Sequence, residues 1–99
     1  MRIQLHSAAH ISKIIGSRET FIEIPESSTL SGLLIELAEV YGHEFLNAIC
    51  DETEYNGTGY DEKKAAILVN GRSAAAIGGV SIELQEGDDV LILPILGGG

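Results

Sequence analysis

Apolar residues recur along this chain with two different periods, and each change of period marks a new element. The chain opens on a period of two: in "RIQLHS", residues 2–7, Ile3 and Leu5 share a face, as in a half-buried strand. In "TFIEIP", residues 20–25, Ile22 and Ile24 alternate with Glu23, and the run closes at Pro25, which has no N–H for a ladder. The stretch between them, "AAHISKIIGSR", is apolar enough to cover something, and the pattern leaves its state open. Gly16 marks a bend within it, so the two strands predict a β-hairpin.

The period then lengthens. In "SSTLSGLLIELAEVYG", Leu30, Leu33, Leu34, Leu37, Ala38 and Tyr41 fall at i, i+3, i+4, i+7, i+8 and i+11, one continuous helical stripe. Ser28 or Thr29 supplies the N-cap and Gly42 the residue beyond the C-terminus. Gly32 sits inside this helix at a cost of about 1 kcal/mol relative to alanine, and close packing on a sheet would account for it. "EFLNAIC" predicts a second, short helix, and the polar, acidic "DETEYNGTGYDEKK" an exposed loop. "AAILVNGR" is a short apolar run ending in the turn dipeptide Asn70-Gly71, as a strand buried on both faces would be. Further strands are expected at residues 80–84 and, after a Gly-Asp turn, at 90–93. Five strands with a helix crossing between them predict an α+β protein: one mixed five-stranded sheet, the main helix on one face, and a short second helix. That arrangement is the β-grasp. The expected division is a domain over residues 1–93 and a flexible C-terminal Gly-Gly tail over 94–99.

Composition narrows the function classes. The chain has 99 residues, enough for one modest core, and 44% of them are hydrophobic. Fifteen acids against six bases give a net charge of −9, which argues against nucleic acid and against an anionic membrane surface. The same charge would steer the domain towards a positively charged partner. No apolar run approaches the roughly 20 residues of a membrane span, and "MRIQLHSAAH" lacks the apolar core of a secretory signal. A lone Cys50 suits a reducing compartment, so a cytoplasmic location is expected.

Candidate chemistry is sparse upstream of the chain end. Cys50 has no accompanying base or second cysteine, and a small thiol at a helix end is the simpler reading. His6, His10 and His43 match no ligand spacing, and the acids near residues 51–54 and 61–62 lack the alternation of a calcium loop, so no metal is expected. "GRSAAAIGG" has no phosphate-loop pattern. Lys13, Lys63 and Lys64 read as ordinary surface lysines. What remains is "LPILGGG", a hydrophobic strand running into proline and three glycines. Glycine has the most backbone freedom to lose on ordering, so such an end is either idle or used by something that orders it.

Two stretches connect that end to a known family. "ILVNGR" followed by "LQEGDDVLILP" and "ILGGG" resembles the MoaD family, small subunits of molybdopterin synthase related to the ThiS sulfur carrier and to ubiquitin. The family pattern of a Val-Asn-Gly-Arg turn, a Leu-x-x-Gly-Asp-x-Val stretch and a hydrophobic strand leading to Pro and Gly-Gly falls on residues 69–72, 84–90 and 94–99. A segment as long as residues 44–64 favours the MoaD side over the shorter ThiS type. The chain departs from many relatives at Leu93, where an aromatic is usual, at Ile95, often a second proline, and at Gly97, usually a small residue with a side chain.

The resemblance implies a ubiquitin-like β-grasp and a carrier that is not an enzyme on its own. Gly99 would be adenylated and converted to a thiocarboxylate donating sulfur to the molybdopterin dithiolene of a molybdenum or tungsten cofactor. Gly97 and Gly98 would thread the partner's active site, and Leu93, Ile95 and Leu96 would dock the body, with Leu91 or Leu93 equally placed to be core. Two partners are implied: a large catalytic, MoaE-like synthase subunit and a ubiquitin-activating-type, MoeB-like adenylyltransferase. No cofactor would be bound stably, and the activating enzyme would use ATP. Glycine suits this role because its unhindered carbonyl can enter a narrow channel and its α-carbon cannot epimerise. Six extended residues from Pro94 would reach at most about 20 Å. The rival readings are a ubiquitin-like modifier joined to lysines, a sulfur carrier of thiamine synthesis (disfavoured by length), and a non-covalent adaptor.

Overall fold

In the computed structural model, which describes residues 1–50 and 60–95, the alternating segments assemble into one five-stranded sheet. β1 (Arg2–Ser7) pairs antiparallel with β2 (Glu19–Glu23) and parallel with β5 (Asp89–Pro94). β3 (Ala65–Val69) pairs antiparallel with β5 and with the two-residue β4 (Arg72–Ser73). The order is β2-β1-β5-β3-β4, which puts the last strand in the chain at the centre of the sheet. This is the expected mixed β-grasp sheet.

One face of that sheet carries the core. Ile3 and Leu5 of β1, Ile67 and Val69 of β3, and Val90 and Ile92 of β5 are all buried there. Against them lies α2 (Leu30–Tyr41), burying Leu30, Leu33, Leu34 and Leu37 of the predicted stripe. Burying one such leucine contributes about 1.5–3 kcal/mol, so the stripe fixes the helix on the sheet. Thr29 is its N-cap: the Gly32 N–H donates to Thr29 Oγ1 at 3.2 Å. The Gly42 N–H closes the other end on the Ala38 carbonyl at 2.8 Å. The short second helix, α3 (His43–Ile49), adds Phe45 and Ile49 to the core.

Several expectations are corrected. The hairpin tip is α1 (Ala9–Ile15), with Ile11 and Ile15 buried one turn apart, and Gly16 is its left-handed C-cap at φ 92°. An open bend would have left those isoleucines in water; a single helical segment turns both inward. The strands still pair as a hairpin would, its neck closed by the Ser7 N–H to the Arg18 carbonyl at 2.9 Å. No strand forms at residues 80–84. Gly78 and Gly79 take φ of 136° and 71°, a 3₁₀ turn (Gly79–Ser81) follows, and only the single bridge Glu83–Thr29 remains. The fifth strand is β4, placed by the Asn70-Gly71 turn with φ of 52° and 84°, the left-handed pair of a tight hairpin. β3 is buried on one face only, with Ala66 and Leu68 half-exposed on the other.

Gly32 does not mark a close approach to the sheet. A Cβ there would meet only Ser28 and Thr29 atoms at 3.8 Å, ordinary contact. The predicted acidic loop lies outside the described residues over 51–59. Its described end turns on Asp61, whose carboxylate accepts the Lys63 N–H at 2.8 Å. β5 runs through Pro94, and the Ile95 N–H donates to the Lys64 carbonyl at 2.9 Å. Regular pairing thus continues two residues beyond position 93.

Candidate functional site: the open face of the central strand

β5 is apolar throughout, and the pleat divides it. Val90 and Ile92 point into the core with no exposed surface. Leu91 and Leu93 therefore point to the opposite face, where both stay half-exposed. Register builds a patch around them: His6 and Leu68 flank Leu91, and Ala66 lies beside Leu93. Phe21 of β2, 58% exposed, lies on the same side, its ring 5.2 Å beneath the Arg2 guanidinium. The patch has a charged border: Arg2 Nε donates to Glu23 Oε1 at 3.2 Å, and His6 Nε2 lies 3.7 Å from Asp89 Oδ1. A half-wet apolar strip with a polar rim has the make-up of a protein-docking surface.

The patch continues to the last described residue. Leu93 belongs to it, and Ile95, 42% exposed, follows at the end of the strand. Leu96, Gly97, Gly98 and Gly99 lie outside the described residues. The alternative that Leu91 or Leu93 is core is decided by the pleat: both face outward. Leu68 and Phe21 were not singled out from sequence, and Leu91 was named only as a possible core residue. For Leu91 the signal was the phase of alternation, hidden because "VLIL" is apolar at every position.

The remaining candidates sit elsewhere. Cys50 is buried, and its thiol donates to the Leu46 carbonyl at 3.3 Å, the contact of a small apolar residue on a helix end. Among the described residues no group of three or more His, Cys, Asp or Glu is placed to hold a metal ion. Among them, too, no helix is long and apolar enough to cross a membrane. Lys64 is not an ordinary surface lysine: its ammonium donates to the carbonyls of Asn47 and Cys50.

The strand order and the helix packed on one face define a small ubiquitin-like β-grasp domain. The ThiS family profile matches residues 8–99, and the chain belongs to that family, the sulfur-carrier class that MoaD-like proteins share. No curated protein matches the sequence significantly. Among solved structures, the Haloferax volcanii HVO 2177 protein superposes with a TM-score of 0.82 at 21% identity, covering 100% of this chain and 87% of that one. A Pyrococcus furiosus protein named as molybdopterin converting factor, subunit 1, gives 0.74 at 27% identity, covering 97% and 99%. The small archaeal modifier protein 1 of Methanosarcina acetivorans gives 0.77 at 19% identity, covering 99% and 95%. Proteins of the ThiS and MoaD type are carriers, generally without catalytic activity of their own.

Proposed function

We propose that this chain is a sulfur carrier of molybdenum or tungsten cofactor biosynthesis, the small subunit of a molybdopterin synthase. The observation that carries the reading is the half-exposed apolar face of β5 leading straight into a terminal run of glycines, in a chain of the ThiS family. The likeness to the Pyrococcus converting-factor subunit, at 27% identity, is what supports this pathway. A MoeB-like adenylyltransferase would hold the body by the Leu91 and Leu93 face, with Ile95 and Leu96 at the channel mouth. Gly97 and Gly98 would thread the channel, where no Cβ obstructs the approach of the partner's backbone. The Gly99 carboxylate oxygen attacks the α-phosphorus of ATP and pyrophosphate leaves. A sulfide-level nucleophile from the activating system then attacks the carbonyl carbon, and AMP departs with the C–O electron pair. The thiocarboxylate formed is carried to a MoaE-like catalytic subunit. ATP is the activating enzyme's substrate, and the carrier itself retains no cofactor.

Removing Gly98 and Gly99 tests the role of the tail. Folding and thermal stability should be unchanged and sulfur transfer abolished; retained transfer would exclude the mechanism. A second reading, conjugation to lysines of other proteins, is favoured by the likeness to the archaeal modifier. A branched remnant of Gly97–Gly99 on lysines of other cellular proteins, after cleavage by a protease that cuts at Leu96, would support it.

A further inference from the structure

We infer that Lys64 is a positioning residue that holds the chain as far as Ile95 and so fixes where the tail leaves the body. The inference rests on the carrier reading for its consequence, but its geometry stands alone. The β5–β3 ladder pairs Leu91 with Leu68 and Leu93 with Ala66, and the next rung is the Ile95 N–H to the Lys64 carbonyl at 2.9 Å. Alternation of the rungs turns the nitrogen of Pro94 away from β3, towards β1. There β1 has already ended, since its last pair is Ser7 with Ile92. A residue without an N–H therefore costs the ladder nothing at this position, and the strand passes through Pro94 intact.

On the β3 side the chain turns just upstream of this rung. The N–H groups of Lys64 and Ala65 both donate to the Asp61 carbonyl, at 2.9 and 3.0 Å, so the chain turns away from β5 immediately before Lys64. Rung 64–95 is the last one among the described residues. Lys64 also reaches a third element, because its ammonium donates to the carbonyls of Asn47 and Cys50, the latter at 3.1 Å. Those carbonyls lie at the C-terminal turn of α3, the end where a cation complements the helix dipole. The Asp61 N–H to the Ile49 carbonyl at 2.7 Å fastens the same junction. One residue thus joins the start of β3, the end of α3 and the root of the tail.

Four residues beyond this root span at most about 14 Å, against about 20 Å for a tail freed at Pro94. A shorter tether on a fixed root delivers its end into a smaller volume, and reaction between held groups is sensitive to displacements near 1 Å. The test compares the full chain with Lys64→Met, which keeps the aliphatic stem, and Lys64→Arg, which keeps the charge. Amide exchange and pyrophosphate exchange with the activating enzyme of the same organism are measured on each. For Lys64→Met the Ile95 amide should exchange about tenfold faster while those of Val90 and Ile92 hold. Its kcat for pyrophosphate exchange should fall about tenfold at unchanged KM, because the docking face is intact. Lys64→Arg should restore both. Unchanged exchange at Ile95, or a loss confined to KM, would overturn the assignment. If the wild-type chain supports no pyrophosphate exchange at all, the carrier reading fails instead, and the Ile95 amide still decides the anchor.

Discussion

Neighbouring residues of β5 are nearly identical in chemistry and opposite in circumstance. Val90 and Ile92 have no exposed surface; Leu91 and Leu93, a peptide bond away, are half in water. Composition cannot explain the difference, since all four are branched aliphatics. It arises because α2 and α3 cover one face of the sheet, while the other carries a strip of Leu68, Leu91, Leu93 and Ala66 that stays half-exposed. A sheet face with apolar residues at its centre is an aggregation liability unless another surface uses it. The two faces therefore differ: one holds the fold together, and the other is the face that, on the proposed reading, would hold a partner near the tail.

Substitutions on the two faces should separate these roles. Ile92→Ala should lower the free energy of unfolding by about 2–5 kcal/mol, read by denaturant titration, with partner affinity unchanged once the protein is folded. Leu91→Asp should behave conversely. Its stability should move by less than about 1 kcal/mol, while affinity for the activating enzyme should fall at least about tenfold, or roughly 1.4 kcal/mol, by calorimetric titration. Equal effects on both measurements for both variants would erase the distinction between the faces.

Changes confined to α2 sharpen the comparison on the buried side. Gly32→Ala should stabilise the protein by about 0.5–1 kcal/mol, because the added methyl meets only ordinary contacts and the unfolded chain loses freedom. Partner binding should be indifferent to it. The smallest effect concerns alkaline pH. Tyr60 is pushed above its usual 10.0, first by burial and then by the Glu62 carboxylate. The folded state holds that phenolic proton more tightly than the unfolded chain does. Its contribution is therefore complete below pH 10 and is lost as pH rises through the folded value. Melting curves of Tyr60→Phe should show a shallower fall in stability above pH 10 than the wild type.

Much of this was legible in the sequence, and the failures have physical causes. The α2 stripe, its Gly42 end and a cap at Ser28 or Thr29 were readable because six apolar positions keep one helical phase; the structure selects Thr29. The Asn70-Gly71 turn was readable because left-handed backbone demands such residues. α1 was hidden by its length: seven residues give two buried isoleucines, too few to separate a helical period from a bend. Residues 80–84 alternate as a strand would, with Ile82 half-buried and Leu84 buried, yet two glycines of positive φ precede them and one bridge is all the pairing they find. The outward phase of Leu91 and Leu93 could not be read, because four consecutive aliphatics carry no alternation. Lys64 looked like any surface lysine until the end of α3 was brought beside it, a tertiary fact that no local pattern encodes.

The central claim concerns the chemical fate of the Gly99 carboxyl group. Intact-mass analysis of the protein isolated from its own cells addresses it most directly. A fraction of the chains should carry one sulfur in place of one oxygen, localised to the C-terminal peptide on fragmentation. Chains that carry no such exchange in cells actively making the cofactor would contradict the account.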